Sequence, residues 1–272
     1  MEELDLNVEQ FLSWFPHEQD EPYVLIRVDE DHVEELIHAL TVPLRRCYVA
    51  DSVLALRAIQ HSTSERVVLA AKLPSPGSTM SGDFGEILTY CLQAAELQPL
   101  VAIGPKKWRL KQDRTKPAPY SDVVQFVLPT WPTPSDADVI LCAEVKAKAT
   151  TGQFSPIENA IKDSAKDRTS RLAKTLVWLR ERATGDEPGE LDTAQINRFI
   201  DSTDYPRHTK RFRAVAIICS NLVNAEIAKP LQGGLTTVSL VVVALPNLQE
   251  VYSSVYTAAA DSVPSTVSQP QA

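Results

Sequence analysis

Three acidic side chains and one lysine stand where chemistry can be done: Glu86, Asp122, Glu144 and Lys146. The last three lie in YSDVVQFVLPTWPTPSDADVILCAEVKAK (residues 120–148), which reads as two strands joined by a Pro- and Asp-rich turn. Asp122 opens the first, Asp122–Leu128; Glu144 and Lys146 sit two apart in the second, Val139–Ala147. Side chains alternate along a strand, so Glu144, Lys146 and Lys148 share one face. A carboxylate and an ammonium at the end of an apolar strand are costly unless they pair or bind something. Carboxylates are hard oxygen donors suited to Mg²⁺ or Mn²⁺, with water and a substrate phosphate completing the shell. Such an ion activates water and stabilises charge growing on a scissile phosphate; Lys146 can orient that water or neutralise the transition state. D…E-x-K occurs often by chance, but the order helix-Glu, strand-Asp, strand-Glu-x-Lys, helix points to phosphodiester hydrolysis.

The elements around these residues must position them. SGDFGEILTYCLQAAEL reads as an amphipathic helix with Phe84, Leu88, Cys91, Leu92 and Ala95 in one stripe. Glu86 lies roughly opposite that stripe, where periodicity alone makes it an ordinary solvated residue. Residues 105–120 carry Lys106, Lys107, Arg109, Lys111, Arg114 and Lys116 around Trp108, against the single acid Asp113. Bases interleaved with an aromatic suit phosphate contacts with stacking, or else form a solvated hairpin. A long helix from about Pro156 to Ala183 has one apolar side and a basic one that includes Lys162, Lys166 and Arg168. That face suits steering of phosphates, or salt bridges on an ordinary surface helix.

Arg213–Cys219 and Thr237–Leu245 are near-continuous apolar runs, as expected of strands covered on both faces. The fold class is therefore α/β (α+β mixed), a central sheet flanked by helices. Gly185–Glu190 reads as a loop, and Asp192–Ser202 and Asn247–Thr257 as helices.

With 272 residues, 44% of them hydrophobic, the chain can bury a sizeable core. No stretch is apolar enough to span a membrane, and the acidic N-terminus is unlike a signal peptide. Cys47, Cys91, Cys142 and Cys219 are scattered without a C-x-x-C pair, which fits reduced thiols in a cytoplasmic protein. A Gly-rich phosphate loop is missing, so an ATPase reading lacks its motif. The net charge of −8 is unevenly placed: residues 1–40 hold twelve acids and one base, leaving the remainder basic. Residues 1–75 read as a separate acidic α+β module, with strands at Pro22–Val28 and Glu65–Leu73 and helices in Leu4–Phe15, Asp31–Leu40 and Asp51–Gln60. The Pro/Ser/Gly stretch 74–78 marks its end; residues 76–257 form the second domain, and 258–272 read as a disordered tail.

SDVVQF and AEVKAKAT resemble the PD-(D/E)xK nuclease superfamily, with Ser121–Asp122 in place of Pro-Asp. More narrowly, these motifs with SGDFGEILTYCL, KKWRLKQDRT and AIKDSAKDRTSRLAKTLVWL resemble the HamA family, nuclease subunits of the Hachiman anti-phage defence system. The resemblance covers about Ser81–Leu179. It implies a restriction-endonuclease-like fold, metal-dependent DNA cleavage by Glu86, Asp122, Glu144 and Lys146, and a helicase partner, HamB, that restrains the nuclease. It also raises Glu86 to a metal ligand beside Asp122 and Glu144. The competing readings are a non-catalytic nucleic-acid-binding or regulatory subunit on the same fold, and a nuclease of RNA or of DNA repair. Oligomeric state is not legible.

Overall fold

The computed structural model describes residues 4–183, 191–201, 203–231 and 238–263. The N-terminal part comprises α1 (Val8–Ser13), β1 (His17–Gln19), β2 (Val24–Arg27), α2 (Val33–Tyr48), α3 (Asp51–Gln60) and α4 (Glu65–Ala70). It continues through α5 (Ser78–Glu96), β3 (Ala102–Ile103), β4 (Val123–Val127), β5 (Val139–Lys148) and α6 (Pro156–Lys166). A π-helical turn, Asp167–Arg171, joins α6 to α7 (Leu172–Ala183). Then come α8 (Thr193–Ile200), β6 (Thr209–Cys219), α9 (Ser220–Ile227), β7 (Ser239–Leu245) and α10 (Leu248–Asp261).

The strands form one mixed sheet of seven in the order β1-β2-β7-β6-β5-β4-β3. β2, β7, β6 and β5 run parallel, and β1, β4 and β3 pair antiparallel with their neighbours. Helices cover both faces, as the apolar runs of β6 and β7 require. On one face Val123, Ala143, Val145, Val215, Ile217, Val241 and Val243 pack with residues of α1, α2, α5 and α10. On the other, Ala214, Ala216, Ile218 and Val242 meet α6 and α9, while Val124, Phe126, Ile140 and Cys142 meet α7 and α8. No helix among the described residues is long and apolar enough to cross a membrane.

Several expectations are corrected. The boundary near residue 75 does not divide the sheet, because Val24–Arg27 pairs in parallel register with Val241–Ala244. A pairing across more than two hundred residues leaves no mark in local pattern. Glu65–Leu73 is not a strand: Ser64 caps a helix through its bond from Val67 N, 3.4 Å, and Glu65 stands in the first turn. Val67 and Val68 suggested the strand, yet Leu69 is that helix's buried residue. The helix from Pro156 is interrupted by the π turn, and β6 begins at Thr209, four residues before Arg213. The tail expected from residue 258 is helical through Asp261; residues 264–272, like the whole loop Gly185–Glu190, Ser202 and Thr237, lie outside the described residues.

Candidate active site

Three elements deliver the charged residues. Asp122 stands one residue before β4, and Glu144 and Lys146 lie on β5. The side chain of Asp122 accepts a hydrogen bond from Val145 N at 2.8 Å, which ties the start of β4 to the middle of the Glu-x-Lys motif. The third element is the α6–π–α7 helix, which reaches the same face of β5 with Asp163, Asp167 and Arg171.

Glu144 is 1% exposed, and both its oxygens are engaged. Oε1 accepts from Lys146 Nζ, and Oε2 accepts from Arg171 Nη1 at 2.8 Å. Lys146 also reaches Asp163 Oδ2 at 3.2 Å. Buried Asp167 accepts from Ser121 Oγ at 2.8 Å, so the residue before Asp122 is held by the π turn. Ser121 N is held as well, donating to Thr175 Oγ1 at 3.2 Å.

Glu86 reaches the site from the opposite face of the sheet. Its helix lies close to β5 and β6 because Gly85 has no side chain: an added Cβ would meet Val145 Cγ1 at 3.3 Å and Ile217 Cδ1 at 3.5 Å. The expectation of a solvated Glu86 fails, since α5 is buried on nearly every side from Asp83 to Ala95. Trp108 Nε1 donates to Glu86 Oε2 at 3.1 Å. One turn earlier, buried Asp83 accepts from Tyr48 Oη at 2.6 Å and Lys111 Nζ at 2.7 Å.

Burial dominates the electrostatics. It raises Glu86 well above the usual carboxylate range, and the charge of Asp122 adds to the rise. Burial also raises Asp122, against the pull of Lys146 and Lys107. Glu144 is raised by burial and then by Asp122. Asp167 is pushed up to about 6, first by burial and then by Glu144. Burial pulls Lys146 down, but Asp122 and Glu144 outweigh it and hold the ammonium above its ordinary value.

In donor chemistry Asp122 and Glu144 fit a hard divalent cation: two carboxylates that burial strips of solvent and makes more basic. Geometrically the site is closed, because Lys146 and Arg171 already saturate Glu144. No three acidic, His or Cys side chains among the described residues converge closely enough to enclose an ion. Glu144 must release one cation to take another. Glu86 couples to Asp122 from across the sheet, and its nearest hydrogen-bond partner is Trp108.

The basic stretch 105–120 behaves differently from its composition. Lys106, Lys107 and Trp108 are buried, so none of them presents a surface to nucleic acid. Lys107 Nζ donates to Pro119 O at 3.3 Å and to Ser121 O. Arg109 donates to Arg46 O, Lys111 to Asp83, and Arg114 to Ala70 O and Leu73 O. These bases bond to the protein's own carbonyls and to Asp83, because irregular chain leaves carbonyls that need donors; Arg114 does so while exposed. Lys162, Lys166 and Arg168 are exposed, on the helix that borders the site, although Lys166 pairs with Asp163 at 2.5 Å. Asp163, Asp167 and Arg171 escaped the sequence reading as site residues. Their four-residue spacing on a helix directly after Glu-x-Lys is the signal that could have found them.

A mixed sheet between two helical layers, with an acidic–lysine cluster at the β4–β5 pair, defines an α+β protein with a polar site set into its central sheet. A family model described as HamA matches residues 8–259, and the chain belongs to the HamA family, subunits of the Hachiman anti-phage defence system. Among curated proteins, none matches the chain.

Proposed function

We propose that this chain is the nuclease effector of its defence system: a metal-dependent enzyme of the PD-(D/E)xK type that cuts DNA and works with a helicase partner that restrains it. The observation that carries the reading is the Glu144–Lys146 pair on β5, set beside Asp122 through the bond from Val145. In this chain Lys146, Asp122 and Glu144 are drawn together in a buried site, which packing alone does not require. Buried charge of this kind costs stability unless it is used.

The residues divide the work. Asp122 and Glu144 would hold Mg²⁺ or Mn²⁺, which when bound supplies Lewis acidity toward the scissile phosphate and its attacking water. Lys146 stays protonated, so it acts as a positive charge that orients water and offsets charge on the phosphorane rather than as a base. Arg171 and Lys146 hold Glu144 in place until substrate enters. Glu86, hydrogen-bonded by Trp108, stands behind Asp122, whose charge adds to the rise that burial gives it.

A non-catalytic nucleic-acid-binding subunit is the second reading, favoured by the saturation of Glu144 by two cations. Incubating the chain together with its neighbouring helicase with plasmid DNA, linear DNA and RNA, in Mg²⁺ and in EDTA, separates the two. Cleavage of DNA that needs the metal supports the enzyme; binding without cleavage under every condition supports the second reading.

A further inference from the structure

Tyr120 is displayed at the edge of the candidate site by unusual means. Its backbone is left-handed, φ 67°, a conformation that bulky residues rarely adopt. Both neighbours are pinned: the buried Lys107 ammonium bonds the carbonyls of Pro119 and Ser121, on either side of it. Ser121 is held further by Thr175 and Asp167, as its position next to Asp122 demands. The chain is thus fixed on both sides of one residue, and that residue's ring is turned outward, 43% exposed. Strain kept at a position whose neighbours are so fully determined is a mark of function.

The ring lines a shallow groove of about 320 Å³ with Ala173, Lys174, Val177, Trp178 and Glu181 of α7. The groove is roomy enough for a planar heterocycle, with apolar walls in Val177 and Trp178, one ammonium, Lys174, and one carboxylate, Glu181. It starts two residues from Asp122, and Arg171, which holds Glu144, lies one turn along the same helix from Lys174. We infer that Tyr120 is a positioning residue: its ring is a platform on which a nucleobase stacks beside the phosphate that Asp122 and Glu144 address. This rests on the nuclease reading and deepens it. It commits the site to a strand with at least one unpaired or displaced base, since a base inside a duplex cannot offer its face.

The test uses the full chain carrying Lys146→Ala, so that bound strands are not consumed. Oligonucleotides, single-stranded and duplex, carry 2-aminopurine at successive positions, and Kd is read by anisotropy alongside 2-aminopurine emission. Tyr120→Asn keeps the left-handed turn, which Asn tolerates, and removes the ring; Tyr120→Phe keeps the ring. One position in single-stranded DNA is expected to be quenched with Tyr120 and with Tyr120→Phe. Tyr120→Asn should abolish that quenching and raise Kd about tenfold, the scale of one lost base–aromatic stack, with an unchanged melting temperature. If all three proteins bind and quench alike, the platform is wrong while the nuclease reading stands. If the parent chain, alone and together with the helicase, binds neither single-stranded nor duplex DNA, both fall.

Discussion

Arg171 Nη1 lies 2.8 Å from Glu144 Oε2 and occupies one of the two oxygens of that carboxylate. Glu144 is almost wholly buried, whereas the guanidinium is about a quarter exposed. The pair therefore acts as a clasp: it neutralises a carboxylate buried away from solvent, and under the proposed mechanism it opens for an ion to enter. Arg171→Ala should lower the thermodynamic stability by about 1–3 kcal/mol, because it leaves a buried carboxylate with one cation in place of two. The same change should tighten Mn²⁺ binding, since the competitor for Oε2 is gone. Calorimetric titration of Mn²⁺ into both proteins checks the second point; weaker binding in the variant would mean that Arg171 does not compete.

Glu86 should show a trade between stability and activity. Its carboxyl is buried, raised well above the usual range, and repelled by Asp122. Glu86→Gln keeps the bond from Trp108 and removes the unfavourable charge, so it should stabilise the fold by about 0.5–2 kcal/mol in urea denaturation near neutral pH. Cleavage should fall at the same time. Trp108→Phe should do the reverse to stability, at a cost of about 1–3 kcal/mol, by leaving that carboxyl without its donor.

The pH dependence of stability should carry a contribution from Asp167. Its carboxyl sits at about 6 against an ordinary 3.8, so the unfolded chain gives up this proton more readily than the folded one. The contribution to stability is full below pH 3.8 and is lost as the pH rises to 6 and past it, on the order of 2–3 kcal/mol in all. Asp167→Asn keeps an oxygen for Ser121 and has no proton to lose. The variant should gain on the wild type between pH 4 and pH 7 in urea denaturation. A difference that is flat across that window would show that Asp167 titrates at its ordinary value.

The basic residues should separate into two groups. Lys162 and Arg168 are exposed, so replacing each with Ala should weaken DNA binding without moving the melting temperature, and each should reduce the slope of log K against log salt by about one. Lys107 is buried against the carbonyls of Pro119 and Ser121. Lys107→Met should lower the melting temperature instead. The pair of titrations distinguishes a surface contact from an internal one.

Much of this site was legible from residue types. Alternation along a strand placed Glu144 and Lys146 on one face, and the Pro-rich turn placed the β4–β5 hairpin, because both signals are local. Asp122 was also found at the start of its strand, although its bond to Val145 was not. What local pattern could not show was the inside of the molecule. A run of lysines and arginines around Trp108 has the composition of a phosphate-binding surface, yet its donors face internal carbonyls and the carboxylates of Asp83 and Glu86. Whether a base points outward depends on which carbonyls the rest of the chain leaves unpaired. In the same way the helical stripe on α5 marked one buried side, but the segment that carries Trp108 reaches Glu86 on another, so Glu86 could not be seen as buried. The β2–β7 pairing was invisible for a related reason: strands signal themselves, and their partners do not.

The central claim, that the Glu144–Lys146 pair performs phosphodiester hydrolysis, is tested most directly by single-turnover DNA cleavage in Mg²⁺ by the chain together with the proposed helicase partner. Wild type, Glu144→Ala and Lys146→Ala are compared after circular dichroism confirms that each remains folded. Loss of at least about a hundredfold in rate in both variants, the scale expected for removal of a charge aimed at the transition state, is the predicted result. Cleavage at wild-type rate by a folded Glu144→Ala protein would contradict it, and would make the buried pair a structural feature of a binding subunit.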